Sequence, residues 1–166
     1  MLFRSVTTLE AFGVAELAAR DPRAAILAMA ERVPGLFGWL DGLAHAVRWR
    51  DVCFVHGGLV PGGRAAAIGT ASMEHLVIRD EFFGAPWTTA AFGGYEAAGI
   101  RRVVFGHTPM PGGPRLFHDG RSIDIDTNAP GALPGPRSVT LLELAGDVAF
   151  ADARRVEVPA DRAAAA

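Results

Sequence analysis

Lysine is missing from this chain: all 16 of its basic residues are arginine. With the abundance of alanine and glycine, this reads as a compositional bias of the source and carries no functional signal. A formal net charge of −2 leaves no basic patch for nucleic acid and no attraction to an anionic membrane. A single cysteine, Cys53, excludes an internal disulfide and any zinc site built from several thiolates. It lies between Val52 and Phe54, the setting of a packed thiol rather than a nucleophile. No apolar run approaches the length of a membrane span, and the opening MLFRSVTTLEAFG lacks the charged-then-apolar layout of a signal peptide. The expectation is a cytoplasmic protein. No GxSxG elbow occurs, which argues against a serine hydrolase.

What is present suits a globular α/β domain. The chain has 166 residues, half of them apolar and 20% charged, enough to bury a core and too apolar for disorder. Residues 1–13 show neither helical nor strand periodicity. Asp21-Pro22 starts a helix, Asp as N-cap and Pro in the first turn, with Ile26, Ala30 and Val33 on one face down to Pro34. A short helix is predicted over 36–43. Two strands, 44–49 and 51–56, flank a tight turn at Arg50-Asp51. Residues 57–69 form a loop, and 72–82 a helix with Met73, Leu76 and Val77 at helical spacing. Residues 84–94 read as irregular, and 95–99 as the last turn of a helix feeding a strand at 102–105. Further strands are predicted at 115–118, 122–126 and 139–144, with a possible one at 148–156, before an Ala-rich tail that frays from Pro159. Helices interleaved with strands, then mostly strands, give an α/β domain on the border of α+β, over residues 1–158, whose sheet continues into antiparallel strands.

Two stretches share one design. VCFVHGGLVPG, from Val52 to Gly62, and VVFGHTP, from Val103 to Pro109, each carry an apolar strand to a histidine beside a glycine-containing loop. A buried strand fixes its last side chain, glycine admits a close approach, and neutral imidazole is a common metal ligand. Two acidic residues, Asp124 and Asp126, lie two apart on one face of a later strand. His45, His75 and His118 have no motif around them and read as ordinary.

FVHGGLVPG and VVFGHTP, in this order, resemble the last two motifs of the calcineurin-like metallophosphoesterases. The likeness is to the branch that includes bacterial serine/threonine protein phosphatases and diadenosine tetraphosphatases. The resemblance implies a β-sandwich flanked by helices. It also implies a phosphate-ester substrate and two divalent metal ions (Mn, Fe, Zn or Mg), with His56 and His107 as metal ligands and the neighbouring glycines leaving room for metal and substrate. HLVIRDEFF is similar to the family's WIR-type helix, with Val77 in place of the tryptophan, which makes Arg79 a substrate-phosphate contact. The alternative for Arg79 is a surface ion pair with Asp80 or Glu81. SIDIDTNAP resembles the family's DTGA segment, with Asn128 replacing the glycine. In the family neither aspartate binds metal, so Asp124 and Asp126 are read as structural. FRSVTTLEAFG resembles the segment that follows the family's GNHE motif.

The family's earlier motifs, GDxHG, GDxxDRG and GNHE, do not occur here. They supply its carboxylate and amide ligands and its catalytic histidine. The expectation is therefore the C-terminal part of a metallophosphoesterase domain, with Met1 a downstream start. The missing half would come from a longer chain or a partner. Such a part is expected to be inactive alone, and to leave the strands ending at His56 and His107 without neighbours. The alternative is a non-catalytic binding or structural module derived from the same fold.

Overall fold

The computed structural model of this chain describes residues 6–68, 74–128, 138–142, 144 and 153–157. It divides into two compact units, Met1–Leu43 and Ala44–Ala166.

The first unit is helical: α1 (Val6–Ala11), α2 (Ala15–Arg20), α3 (Pro22–Arg32) and α4 (Leu36–Asp41). The sequence shows no period for the first two, because helices of six residues carry less than two turns of pattern. The start of α3 follows from its chemistry. The Asp21 carboxylate accepts from the backbone N–H groups of Arg23 and Ala24, both at 3.0 Å, and Pro22 needs no donor there. The buried stripe of α3 is Ala25 and Met29, packed with Leu9 and Val14. This corrects the expected face of Ile26, Ala30 and Val33 by one residue, a rotation of about 100° around the helix.

The second unit is built on a five-stranded mixed sheet in the order β1-β2-β3-β5-β4. Its strands are β1 (Ala46–Trp49), β2 (Val52–Val55), β3 (Arg102–Phe105), β4 (Arg115–Phe117) and β5 (Ser122–Asp124). β2, β3 and β5 run parallel, and the antiparallel β1 and β4 form the two edges. The strands that end at His56 and His107 therefore have neighbours on both sides, contrary to expectation. The β1–β2 hairpin supplies one and β5 the other. Arg102 pins the hairpin turn by donating Nε and Nη2 to the Asp51 carboxylate at 3.1 and 2.7 Å, and this holds the Asp51 carboxyl below its ordinary range.

One face of the sheet, with Cys53, Val55, Val103 and Phe105, packs under Leu59, Phe82, Phe92 and Tyr95. These aromatic residues come from α6 (Asp80–Gly84) and α7 (Thr89–Glu96). The expected helix over 72–82 is broken: α5 (Glu74–Val77) stops, Arg79 takes a non-helical conformation, and its carbonyl accepts from Phe82 and Phe83 to start α6. The stretch 84–94, read as irregular, is helical from Thr89 onward, as α7. Thr88 caps it at Ala91 N, and burial of Phe92 and Tyr95 overrides the weak propensity of Gly93 and Gly94. The opposite face carries Val52, Val104 and Ile123, against which Leu142 and Leu144 pack. Leu142 belongs to a second, two-stranded sheet of β6 (Ser138–Leu142) and β7 (Ala153–Glu157). Residues 148–152 of the expected last strand, and the tail from Pro159, lie outside the described residues.

Candidate functional site

Both histidine motifs end at the same edge of the sheet. The ladder between β2 and β3 continues past the strands through Gly106 N–H, which donates to the His56 carbonyl at 2.9 Å. His107 follows with φ of 72°, a left-handed conformation that costs a non-glycine residue energy and is found where a side chain must be aimed. The turn brings its ring back to His56: His107 Nδ1 lies 3.0 Å from His56 Nε2, with ring centroids 4.8 Å apart and planes at 63°. Such a contact holds one proton. Removing it leaves two lone pairs facing the same point. Burial, followed by the charges of Arg79 and His56, lowers the His107 pKa and favours the neutral ring, while Asp126 opposes this.

The space argument for the paired glycines is corrected. A side chain at Gly57 would sit 3.0 to 3.1 Å from the backbone of His75, Leu76 and Ile78, and one at Gly58 would meet the Phe82 ring at 2.5 Å. Gly57 and Gly58 N–H both donate to the His75 carbonyl, at 2.9 and 3.3 Å. These glycines let the loop lie against α5; the room they leave is filled by protein.

Arg79 is exposed, and its Nη2 donates to the His107 carbonyl at 3.4 Å. Among the described residues the ion pairs are Arg102–Asp51 and Arg121–Glu96, so Arg79 is drawn to the histidine turn rather than to Asp80 or Glu81. Asp124 is fully buried. Its Oδ1 accepts from Asp126 N–H at 2.8 Å, its Oδ2 has no partner, and burial pushes its carboxyl up to about 7. Asp126 accepts from Asn128 N–H at 3.1 Å, and Asn128 adopts φ of 66° in place of a glycine. Both aspartates thus shape the turn after β5.

A groove of about 520 Å³ opens beside the pair, walled by His45, Val47, Phe54, His56, His107 and Asp126 among others. His45 carries no motif, yet it stands in this wall. The signal was in the hairpin: a two-residue turn at Arg50-Asp51 pairs Trp49 with Val52 and Ala46 with Val55, and one step further brings His45 opposite His56. The other two histidines are structural. His75 is buried with Nδ1 at 3.1 Å from the Gly58 carbonyl. His118 bridges the Ser122 hydroxyl, through Nδ1, and the Phe82 carbonyl, 2.8 Å from Nε2.

As a metal site the arrangement is partial. His56 and His107 offer two imidazole nitrogens, but among the described residues no group of three or more His, Cys, Asp or Glu is placed to hold an ion. No described helix is long and apolar enough to cross a membrane. No family model matches the chain, and no curated protein matches it either.

Proposed function

We propose that this chain is part of a metal-dependent phosphoesterase, of the protein phosphatase or dinucleoside-polyphosphate hydrolase type, with a metallophosphoesterase-like β-sandwich. The observation that carries this reading is the facing of His56 Nε2 and His107 Nδ1 at 3.0 Å, at the ends of adjacent parallel strands, with Arg79 on the His107 carbonyl. Two imidazoles converging on one point suit Mn, Fe, Zn or Mg only when harder oxygen ligands complete the set. Among the described residues the set is not complete, so no hydrolytic step is assigned to the chain alone. On this proposal the remaining ligands would be supplied by a longer chain or a partner. Exposed apolar side chains on both edge strands, Val47 at 56% and Leu116 at 51%, offer surface for such a segment to bury. Arg79 would then contact a phosphate oxygen of the substrate.

A second reading, a non-catalytic module of the same fold, is favoured by the neighbours that β2 and β3 already possess. Calorimetric titration with Mn²⁺ tests the first reading. Weak binding that disappears in His56→Ala and in His107→Ala is the expected result, with no hydrolysis of p-nitrophenyl phosphate above buffer. Equal metal binding by both variants would refute the ligand assignment. Metal-dependent turnover lost in His56→Ala would show that the chain completes its own site.

A further inference from the structure

We infer that His45 is a third working imidazole of this groove, a binding residue that donates from Nε2–H to an oxygen of a tetrahedral oxyanion seated over the His56–His107 pair. The inference rests on the phosphoesterase reading and extends it to a residue outside every recognised motif.

Register comes first. The antiparallel ladder of β1 and β2 pairs Ala46 with Val55, so the next step places His45 against His56 on the same face of the sheet. On the other side, Phe105 pairs with Asp124, and two steps beyond lie His107 and Asp126. Four adjacent strands thus deliver His45, His56, His107 and Asp126 in a row, and all four wall one groove. The row is electrically asymmetric. Its carboxylate stands at the β5 end, so an anion is repelled there and accommodated toward β1, where His45 is the next polar group.

The state of the ring supplies the second argument. His45 Nδ1 is sealed from solvent and has no hydrogen-bond partner. A proton on Nδ1 would be a buried donor with nothing to donate to, whereas a bare acceptor there costs less. The neutral ring therefore places its proton on Nε2. No described group accepts from Nε2, which leaves that donor for a ligand. A histidine kept for structure spends its ring on protein groups: His118 engages both nitrogens, and His75 meets the Gly58 carbonyl through Nδ1. With its proton on Nε2 the ring offers a donor and no lone pair there, which suits an anion oxygen rather than a metal ion.

The test uses the full chain, zinc, and inorganic phosphate, followed by long-range ¹H–¹⁵N spectra of the imidazoles. Wild-type protein should show His45 protonated on Nε2, with that nitrogen shifting on addition of phosphate. His45→Leu should weaken phosphate binding about tenfold, the loss of one charge-assisted hydrogen bond. His45→Gln, which keeps an N–H donor near the Nε2 position, should stay within about twofold of wild type by the same reasoning. Zinc should perturb His56 and His107 equally in all three proteins. Unchanged phosphate affinity in a folded His45→Leu, or a proton on Nδ1, overturns the inference while leaving the zinc result intact. If zinc moves neither His56 nor His107 but phosphate still moves His45, the metal reading falls and the anion site stands. If neither ligand moves any of the three rings, both fall.

Discussion

Two regions of this molecule are built around histidine, and they use it in opposite ways. Beneath α6 and α7, His118 sits among Phe82, Trp87 and Phe92, with ring centroids 4.8, 5.6 and 5.6 Å away, and both its nitrogens are engaged by the protein. At the sheet edge, His56 and His107 have only each other through the facing nitrogens, and His45 has no partner at all among the described residues. Nitrogens spent on protein groups make a structural residue, as at His118. Ring nitrogens left without a protein carbonyl or hydroxyl make a site, because they remain available to something outside the described residues.

The strongest way to break this contrast is through stability. His118→Ala should cost about 3 kcal/mol, from a cavity between aromatic rings and from leaving the buried Ser122 hydroxyl and the Phe82 carbonyl unpaired. His56→Ala should change stability by less than about 0.5 kcal/mol, as a surface residue outside the core. Urea denaturation of the two variants decides it, and equal losses would erase the distinction. His118 also carries a pH signature. Burial holds its imidazole below the ordinary 6.5, so the unfolded chain takes up the proton first. Its contribution is complete above pH 6.5 and is lost as pH falls through the lower folded value, a loss that His118→Ala should remove.

A smaller effect of opposite sign belongs to Asp124. Its carboxyl is raised from 3.8 to about 7 by burial, so between those values the folded state holds a proton that the unfolded chain has released. This contribution is fully present at low pH and is lost as pH rises through 7. Asp124→Asn keeps the Oδ1 acceptor for Asp126 N–H and removes the charge. It is expected to stabilise the protein by about 2 kcal/mol at pH 8 and to flatten the dependence between pH 4 and 7, read by thermal melting across that range. A variant less stable than wild type at pH 8 would mean that the ionised carboxylate has a partner there.

How far the sequence discloses all this depends on the range of the interactions involved. The convergence of His56 and His107 was legible because each motif ends a buried strand, and the start of α3 because Asp21 and Pro22 act within three residues of themselves. The left-handed turn at Asn128 was legible for the same local reason. The break between α5 and α6 was not, since it is made by Gly57 and Gly58 donating to the His75 carbonyl across a loop. Nor was the role of those glycines, whose missing side chains are matched by the backbone of α5 and by Phe82 rather than by a ligand. His45 lay between these cases: the hairpin turn was read correctly, and carrying its register one step further would have set His45 beside His56. A metallophosphoesterase architecture is our proposal, and it rests on motif likeness and on the histidine geometry.

The central claim is that the facing nitrogens of His56 and His107 are ligands of one cation. Soaking crystals of this chain in zinc and recording anomalous diffraction at the zinc edge tests it directly. The account predicts a peak between His56 Nε2 and His107 Nδ1, with both Zn–N distances near 2.0–2.1 Å and the two nitrogens moved apart from their present 3.0 Å. A peak elsewhere, with the two rings still in direct contact, would contradict it.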